Sequence, residues 1–277
     1  MLHRRRPIRV CAMWRDARPT LVLMGLFLSA LAAAPLVARL DPQALSGAPQ
    51  LPPSWVHPLG TDMIGRDVLS RVLAGAPLSM GAALISAGVA MCTGIGLAAL
   101  EEVRVPVLSA LAQATIRALL AIPTLILALG LTAVVGSSLL NVAIATGIAY
   151  SALAAVMTRS LLQVIRAQPY LEAAISLGAS RLRLISAHML PNALPSLVVV
   201  TIVLFSYAMV ANGALLFLGL GGDPALPEWG AMLAEGRYVF RSAPWAAVAP
   251  GAALMLTVLT TNVLAARLQR AVSAPGV

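Results

Sequence analysis

Lysine is absent from this chain, and all 19 basic residues are arginine. A phosphate-binding loop of the GxxxxGK[ST] type needs its lysine at the terminal phosphates, so any nucleotide energy must come from a partner. Cysteine is nearly absent: Cys11 precedes the first apolar run and Cys92 lies inside the second, which excludes a disulfide framework and a paired-cysteine metal site. His3, His57 and His188 are far apart, so nothing in the sequence assembles a metal centre. Charge is scarce as well. Only 10% of residues are charged against 60% apolar, and mean hydropathy is +0.90, which places the chain among membrane proteins.

What remains is a series of long apolar runs without Asp, Glu, Lys or Arg: Pro19 to Ala38, Val72 to Leu100, Ala118 to Thr158, Leu184 to Gly222 and Ser242 to Ala266. A membrane-crossing helix needs about 20 apolar residues, so the two longest runs have room for two helices each or one helix with its connections. Six spans are expected, near Thr20 to Ala38, Leu78 to Leu100, Val107 to Val135, Leu139 to Thr158, Pro191 to Leu216 and Ala243 to Ala266. The first mimics a cleavable signal, with a basic start, an apolar stretch from Leu21 and the tripeptide Ala32, Ala33, Ala34. Pro35 disfavours cleavage and the run continues to Ala38, so a retained anchor is expected. Small residues such as Gly81, Gly88, Gly94 and Gly96 are expected at helix contacts.

With the amino terminus inside, Arg4, Arg5, Arg6, Arg9, Arg15, Arg18, Arg104, Arg159, Arg166, Arg181, Arg183, Arg267 and Arg270 fall in the cytoplasm. Outside lie only Arg39, Arg66, Arg71, Arg237 and Arg241, facing Asp41, Asp62, Asp67, Asp223, Glu228 and Glu235. This asymmetry predicts both termini inside. The net charge of +9 then belongs mostly to loops beside anionic lipid headgroups rather than to a nucleic-acid surface. The expected spans carry no Asp, Glu or His well inside the hydrocarbon, which argues against an intramembrane enzyme or a proton-driven carrier. Arg117 is the one charge within a span, read either as an arginine that snorkels to the headgroups or as a candidate for the translocation pathway.

The most informative segment is polar and lies between two apolar runs: Glu172 to Pro191, EAAISLGASRLRLISAHMLP. Pro169 suits the first turn of a helix through Leu177, with Glu172 near its favourable end. Gly178 supplies the left-handed residue that stops it, and Ser180 caps a second helix leading into the membrane at Pro191. Ala173 and Ala174 leave little bulk beside Glu172, as a helix seated in a groove requires. Two further segments stand out. His57 to Arg71 reads HPLGTDMIGRDVLSR, where Gly60 and Thr61 can open a helix and Asp62 with Arg66 and Asp67 with Arg71 stand four apart as candidate exposed ion pairs shaping a surface. Phe217 to Trp245 holds Gly219, Gly221 and Gly222, which break the fifth span, Pro224 and Pro227, which stiffen the crossing, and Trp229 and Trp245, which suit a membrane interface.

Glu172, Ala173, Ala174, Gly178, Leu190 and Pro191 resemble the EAA loop of ATP-binding cassette importer permeases. The His57 to Arg71 and Phe217 to Trp245 segments are similar to the second, C-type permease subunit of the dipeptide, oligopeptide and nickel importers. The resemblance runs from the first span through Asn262. It implies an all-α, polytopic bundle of the type I importer class in a bacterial cytoplasmic (inner) membrane. Residues 1–77 would form the tail, first span and extracytoplasmic loop. Residues 78–270 would form the core, with the coupling loop near 166–191.

The resemblance further implies that Glu172, Ala173, Ala174, Gly178, Leu190 and Pro191 couple to the ATPase, and that Asp62, Arg66, Asp67 and Arg71 are candidates for contact with a binding protein. The implied partners are a second homologous permease, two ATP-binding cassette ATPase domains that carry ATP and Mg, and an extracytoplasmic substrate-binding protein. This chain would bind no cofactor. Peptides are the expected cargo, with nickel or another metal chelate as the alternative, and a non-transporting membrane scaffold is the rival role. The chain departs from the pattern at Glu102 to Ser109, EVRVPVLS, where a turn rich in glycine and aromatics is usual, and at Arg117, where an acidic residue is common.

Overall fold

The computed structural model describes residues 41–273 apart from 104, 222 and 224; the expected first span, Cys11, and the arginines before residue 40 lie outside the described residues. Among the described residues the helices are, in order, α1 (Val68–Val103), α2 (Pro106–Ala121), α3 (Thr124–Val135), α4 (Leu139–Arg166), α5 (Pro169–Ser176), α6 (Arg181–Phe217), α7 (Trp229–Gly236), extended by the 3-10 turn Arg237–Val239, and α8 (Trp245–Ser273). Among the described residues four of these, α1, α4, α6 and α8, are long and apolar enough to cross a membrane. Loop 41–67, the α3–α4 turn and α7 gather at what is called here the upper end. The α1–α2 turn, α5 and the carboxyl end of α8 lie at the lower end.

The expected span Val107 to Val135 is not one helix. It is α2 and α3, bent by 97°. Ile122 is extended (φ −103°, ψ 130°) because the ring of Pro123 crowds the helical conformation of the residue before it. At 1.5 Å per residue each half is only about 18–24 Å long, too short to span by itself. Gly136, at φ +106°, ends α3, and the Ser138 hydroxyl caps α4 by accepting the Asn141 N–H at 3.1 Å. Other spans are longer than expected. α1 begins ten residues early, carrying Pro77 inside it, and α4 runs eight residues past Thr158.

The bundle is built around α1 against α4, the most extensive helix contact. Two glycines make it. A Cβ on Gly94 would come within 2.5 Å of Ala154 Cβ and 2.8 Å of Ala155 N, and one on Gly147 within 2.6 Å of Val89 Cβ and 2.7 Å of Ser86 O. Gly81, Gly88 and Gly96, expected at contacts, face open space. Polar side chains tie further helices to this pair, as suits an environment without water. Ser86 Oγ donates to Ala143 O (2.8 Å) and accepts from Asn212 Nδ2 (3.0 Å), joining α1, α4 and α6. Ser206 and Thr261 hydroxyls pair at 2.8 Å between α6 and α8.

If the α1–α4 contact sets the packing, Gly147→Ala lowers stability by about 1–3 kcal/mol through overpacking, while Gly88→Ala is neutral or slightly stabilising. Thermal unfolding in mild detergent checks this, and equal effects at the two positions would contradict it.

Candidate functional site

At the lower end, α5 forms as its sequence dictates. Pro169 occupies the first turn, Glu172 stands near the helix start, and Gly178 at φ +82° ends the unit, with Ala179 N donating to Ala174 O at 3.1 Å. Ser180 opens α6, its hydroxyl accepting the Arg183 N–H at 3.4 Å. Leu171 anchors α5, buried in one cluster with Leu184, Ile185 and Met189 of α6, and the partly buried Ala174 packs beside it. Glu172, Ala173 and Gly178 are exposed on the surface, with Tyr170, Ile175, Leu177 and Leu182 also exposed. Four large apolar side chains facing outward on so short a loop are what a partner would cover.

α6 does not start at Pro191. It begins at Arg181 and passes through a π turn, Leu184–Met189, into the α-helical stretch Leu190–Phe217. Pro191 has no N–H to donate and its ring crowds the carbonyl four residues back, and the wider turn just before it accommodates that defect. Asn192 Nδ2 donates to His188 O at 2.6 Å, supplying a donor at the same place. Leu190 and Pro191 thus sit at the junction of the π turn and the long α-helical stretch of α6.

The four charged residues of the other candidate segment are buried, not exposed. Helix α1 starts at Val68 rather than at Gly60, which instead turns the chain at φ +68°. Asp67 precedes that helix and caps it, its Oδ2 accepting the Ser70 N–H at 2.8 Å while Oδ1 meets His57 Nδ1 at 3.0 Å. The expected Asp67–Arg71 pair is therefore replaced. Arg71, 1% exposed, sends Nη1 to Asp62 Oδ2 and to Glu235 Oε2, both at 2.7 Å. Arg66 does form the expected pair with Asp62, Nε to Oδ2 at 2.6 Å, and adds Nη2 to Glu235 Oε2 at 2.7 Å.

Two arginines and two carboxylates thus neutralise one another inside the upper end and bind loop 41–67 to α7. Arg71 Nε and Nη2 have no protein partner, and a narrow cleft lined by Asp62, Arg71, Met232 and Glu235 lies beside them. Burial pushes the Asp62 carboxyl up, but the backbone N–H groups of Arg66 and Ile64 and the Arg66 guanidinium together hold it below its ordinary value.

Neither tryptophan behaves as an interfacial anchor. Trp229 is buried and donates Nε1–H to Val72 O at 2.9 Å, and Trp245 donates to Thr61 O at 3.0 Å. Glu228 caps α7, accepting from Gly230 N (2.7 Å), Ala231 N (3.0 Å) and Ser79 Oγ (2.8 Å). Burial raises its carboxyl above the ordinary value, partly offset by those hydrogen bonds. Gly219, at φ +90°, follows the end of α6 as expected. Arg117 is exposed on α2 and donates Nε–H to Gln113 O at 3.2 Å. Sequence reasoning missed Glu235, Glu228, Ser79 and His57 as members of the upper network. The excess of acidic residues at that end was the available signal. No group of three His, Cys, Asp or Glu residues gathers among the described residues.

Residues 90–274 match the family described as binding-protein-dependent transport system inner membrane component. A putative peptide transport system permease protein of Brucella suis is 36% identical over 253 residues, covering 90% of this chain and 84% of that protein. The probable D,D-dipeptide transport system permease protein DdpC of Escherichia coli is 36% identical over 242 residues, 87% and 81%. The di/tripeptide transport system permease protein DppC of Pseudomonas aeruginosa is 36% identical over 238 residues, 83% and 78%.

Removing Glu235 leaves Asp62 alone to balance two buried guanidinium groups, so one positive charge stays uncompensated and Glu235→Ala destabilises by about 3–5 kcal/mol, read from unfolding in detergent. Two pH limits accompany it. The lowered Asp62 adds stability above its ordinary value of 3.8 that is lost as pH falls through its folded value, and Asp62→Asn lacks this acid limb. Glu228 has the opposite sign, contributing below its ordinary 4.5 and losing that contribution as pH rises through its raised folded value, so Glu228→Gln lacks this fall.

Proposed function

We propose a peptide-import role for this chain, which belongs to the binding-protein-dependent transport system inner membrane component family. The chain is a permease subunit of an ATP-binding cassette importer, a multi-pass helical membrane protein that performs no bond chemistry itself. Its cargo is a short peptide. Identity of 36% across nine tenths of the chain to a permease named for peptide transport carries this reading.

The cargo crosses by alternating access. In this reading the upper end is extracytoplasmic, the lower end and both termini are cytoplasmic, and the membrane is the bacterial inner membrane. The division into 1–77 and a core of 78–270 is kept as part of the proposal. The chain works beside a second, homologous permease, above two ATPase domains that bind ATP and Mg, and below a substrate-binding protein.

Coupling is assigned to α5 and the start of α6. Glu172 and Ala173 present a small, exposed face to a groove on the ATPase, with the partly buried Ala174 backing them against the core, and Gly178 sets the angle at which α6 departs. Leu190 and Pro191 carry displacement into the membrane portion of α6. A short helix pinned by Leu171 and Ala174 and exposed elsewhere supports this, because it is free to be gripped from below yet cannot slide without moving α6. ATP binding would then bias a two-state bundle. For the binding protein, Asp62, Arg66, Asp67 and Arg71 act from inside, by holding loop 41–67 in one shape rather than by touching it. Arg117, exposed on α2, stays a candidate for the pathway.

Gly178→Asp introduces a side chain where φ is +82° and puts a charge beside the groove contact. It is expected to abolish ATP-dependent uptake of a labelled dipeptide in vesicles while the chain remains in the membrane. Normal uptake with the stably inserted variant would falsify the coupling role.

A further inference from the structure

Two glutamates close α1. Glu101 and Glu102 occupy its last turn, where the helix dipole is negative and disfavours carboxylates, so they need counter-charge from elsewhere. The last two turns of α4 provide it: Arg159 Nε lies 3.3 Å from Glu101 Oε2 and Arg166 Nη1 lies 3.4 Å from Glu102 Oε2. Both glutamates are well covered, whereas Arg159 is half exposed and Arg166 about a third exposed. Contacts of this length with solvent-accessible arginines add little to stability. Glu101 Oε1 is buried without a partner, so the arrangement is not fully satisfied.

Arg166 is the final residue of α4, and only Ala167 and Gln168 separate it from α5. An open cleft lined by Glu102, Arg166, Leu171, Ile175, Arg181 and Met189 among others lies between the end of α1 and α5. The close contact of α1 with α4 at Gly94 lies two turns above. Below that contact Ala98 and Leu162 share one apolar cluster, with Val103 and Ile165 packed at its margin. The two ion pairs are the polar ties between the last turn of α1 and the arm that carries α5.

We infer that Glu101–Arg159 and Glu102–Arg166 form a clasp that makes α1 follow α5, so that these four are positioning residues for energy coupling. The inference rests on the reading of α5 as the ATPase-contacting helix. Of its four members Glu102 lies in the segment in which this chain departs from the family pattern.

The test uses the complex co-purified with its ATPase subunits in lipid discs, with Cys11 and Cys92 replaced and spin labels at Val105 and Val164. Between the nucleotide-free state and the state trapped with ATP and vanadate, the label distance is expected to stay constant with the native clasp. It should change in Glu101→Gln/Glu102→Gln, and the same variant in vesicles should hydrolyse severalfold more ATP per labelled dipeptide imported. Exchanging Glu102→Arg with Arg166→Glu should recover both readouts. Unchanged distance and unchanged ATP per dipeptide in the neutralised variant overturn the clasp, as does an exchange that assembles but recovers neither.

If the double variant fails to assemble, Arg166→Lys and Arg166→Gln are compared. Uncoupled hydrolysis in the glutamine variant alone supports the clasp, and equal behaviour of the two overturns it. Gly178→Asp separates the two readings. A Gly178→Asp complex that retains its ATPase and normal uptake removes the coupling assignment itself. If Gly178→Asp loses both while the clasp variants behave as wild type, only the clasp fails.

Discussion

The bundle depends on how closely α1 and α4 approach. Between helices surrounded by hydrocarbon there is no hydrophobic gain from contact, so association rests on van der Waals fit and on interhelical hydrogen bonds. Gly94 against Ala154 and Gly147 against Val89 bring the backbones near enough for both. Only at that spacing can Ser86 reach the Ala143 carbonyl and offer its oxygen to Asn212, which recruits α6. α8 is added through Ser206 and Thr261. Helix α5, which hangs from the end of α4 and the start of α6, inherits its position from this central pair.

The two ends of the bundle solve opposite problems. At the upper end the charges are buried, matched two against two, and held at 2.6–2.7 Å, and indole N–H groups are spent on backbone carbonyls. Such an end is specified and stiff. The lower end exposes apolar side chains, leaves a cleft beneath α5, and relies on longer ion pairs to exposed arginines. That is a surface prepared to be completed and displaced by something else, in keeping with the low-stability end from which moving elements are drawn.

Much of this was legible in the sequence because its signals are local. Pro169, Gly178 and Ser180 dictate a helix, a left-handed stop and a cap within a dozen residues, and the structure follows them at each position. The break at Gly219 is equally local. Long-range partners were not legible. Asp67 and Arg71 have the spacing of an ion pair, but the carboxylate caps α1 and meets His57, while the arginine turns to Asp62 and to Glu235, 164 residues away. Hydropathy likewise could not separate one long span from α2 and α3, since the elbow at Pro123 is apolar on both sides. Gly81, Gly88, Gly94 and Gly96 of α1 looked equivalent, yet of these four only Gly94 meets a neighbour closely, because composition does not say which face another helix will take.

The upper charge cluster also sets a schedule for biogenesis. Arg66 and Glu235 are 169 residues apart, so at about 5–20 residues per second roughly 10–30 s of translation separate the arginines from their second carboxylate. During that interval Asp62 is the one carboxylate facing the guanidinium groups of Arg66 and Arg71, because Asp67 is occupied by the Ser70 N–H and His57. Loop 41–67 therefore reaches its final form only after α7 has emerged. The end of the molecule that is most rigid once complete is thus closed only after most of the chain has been made.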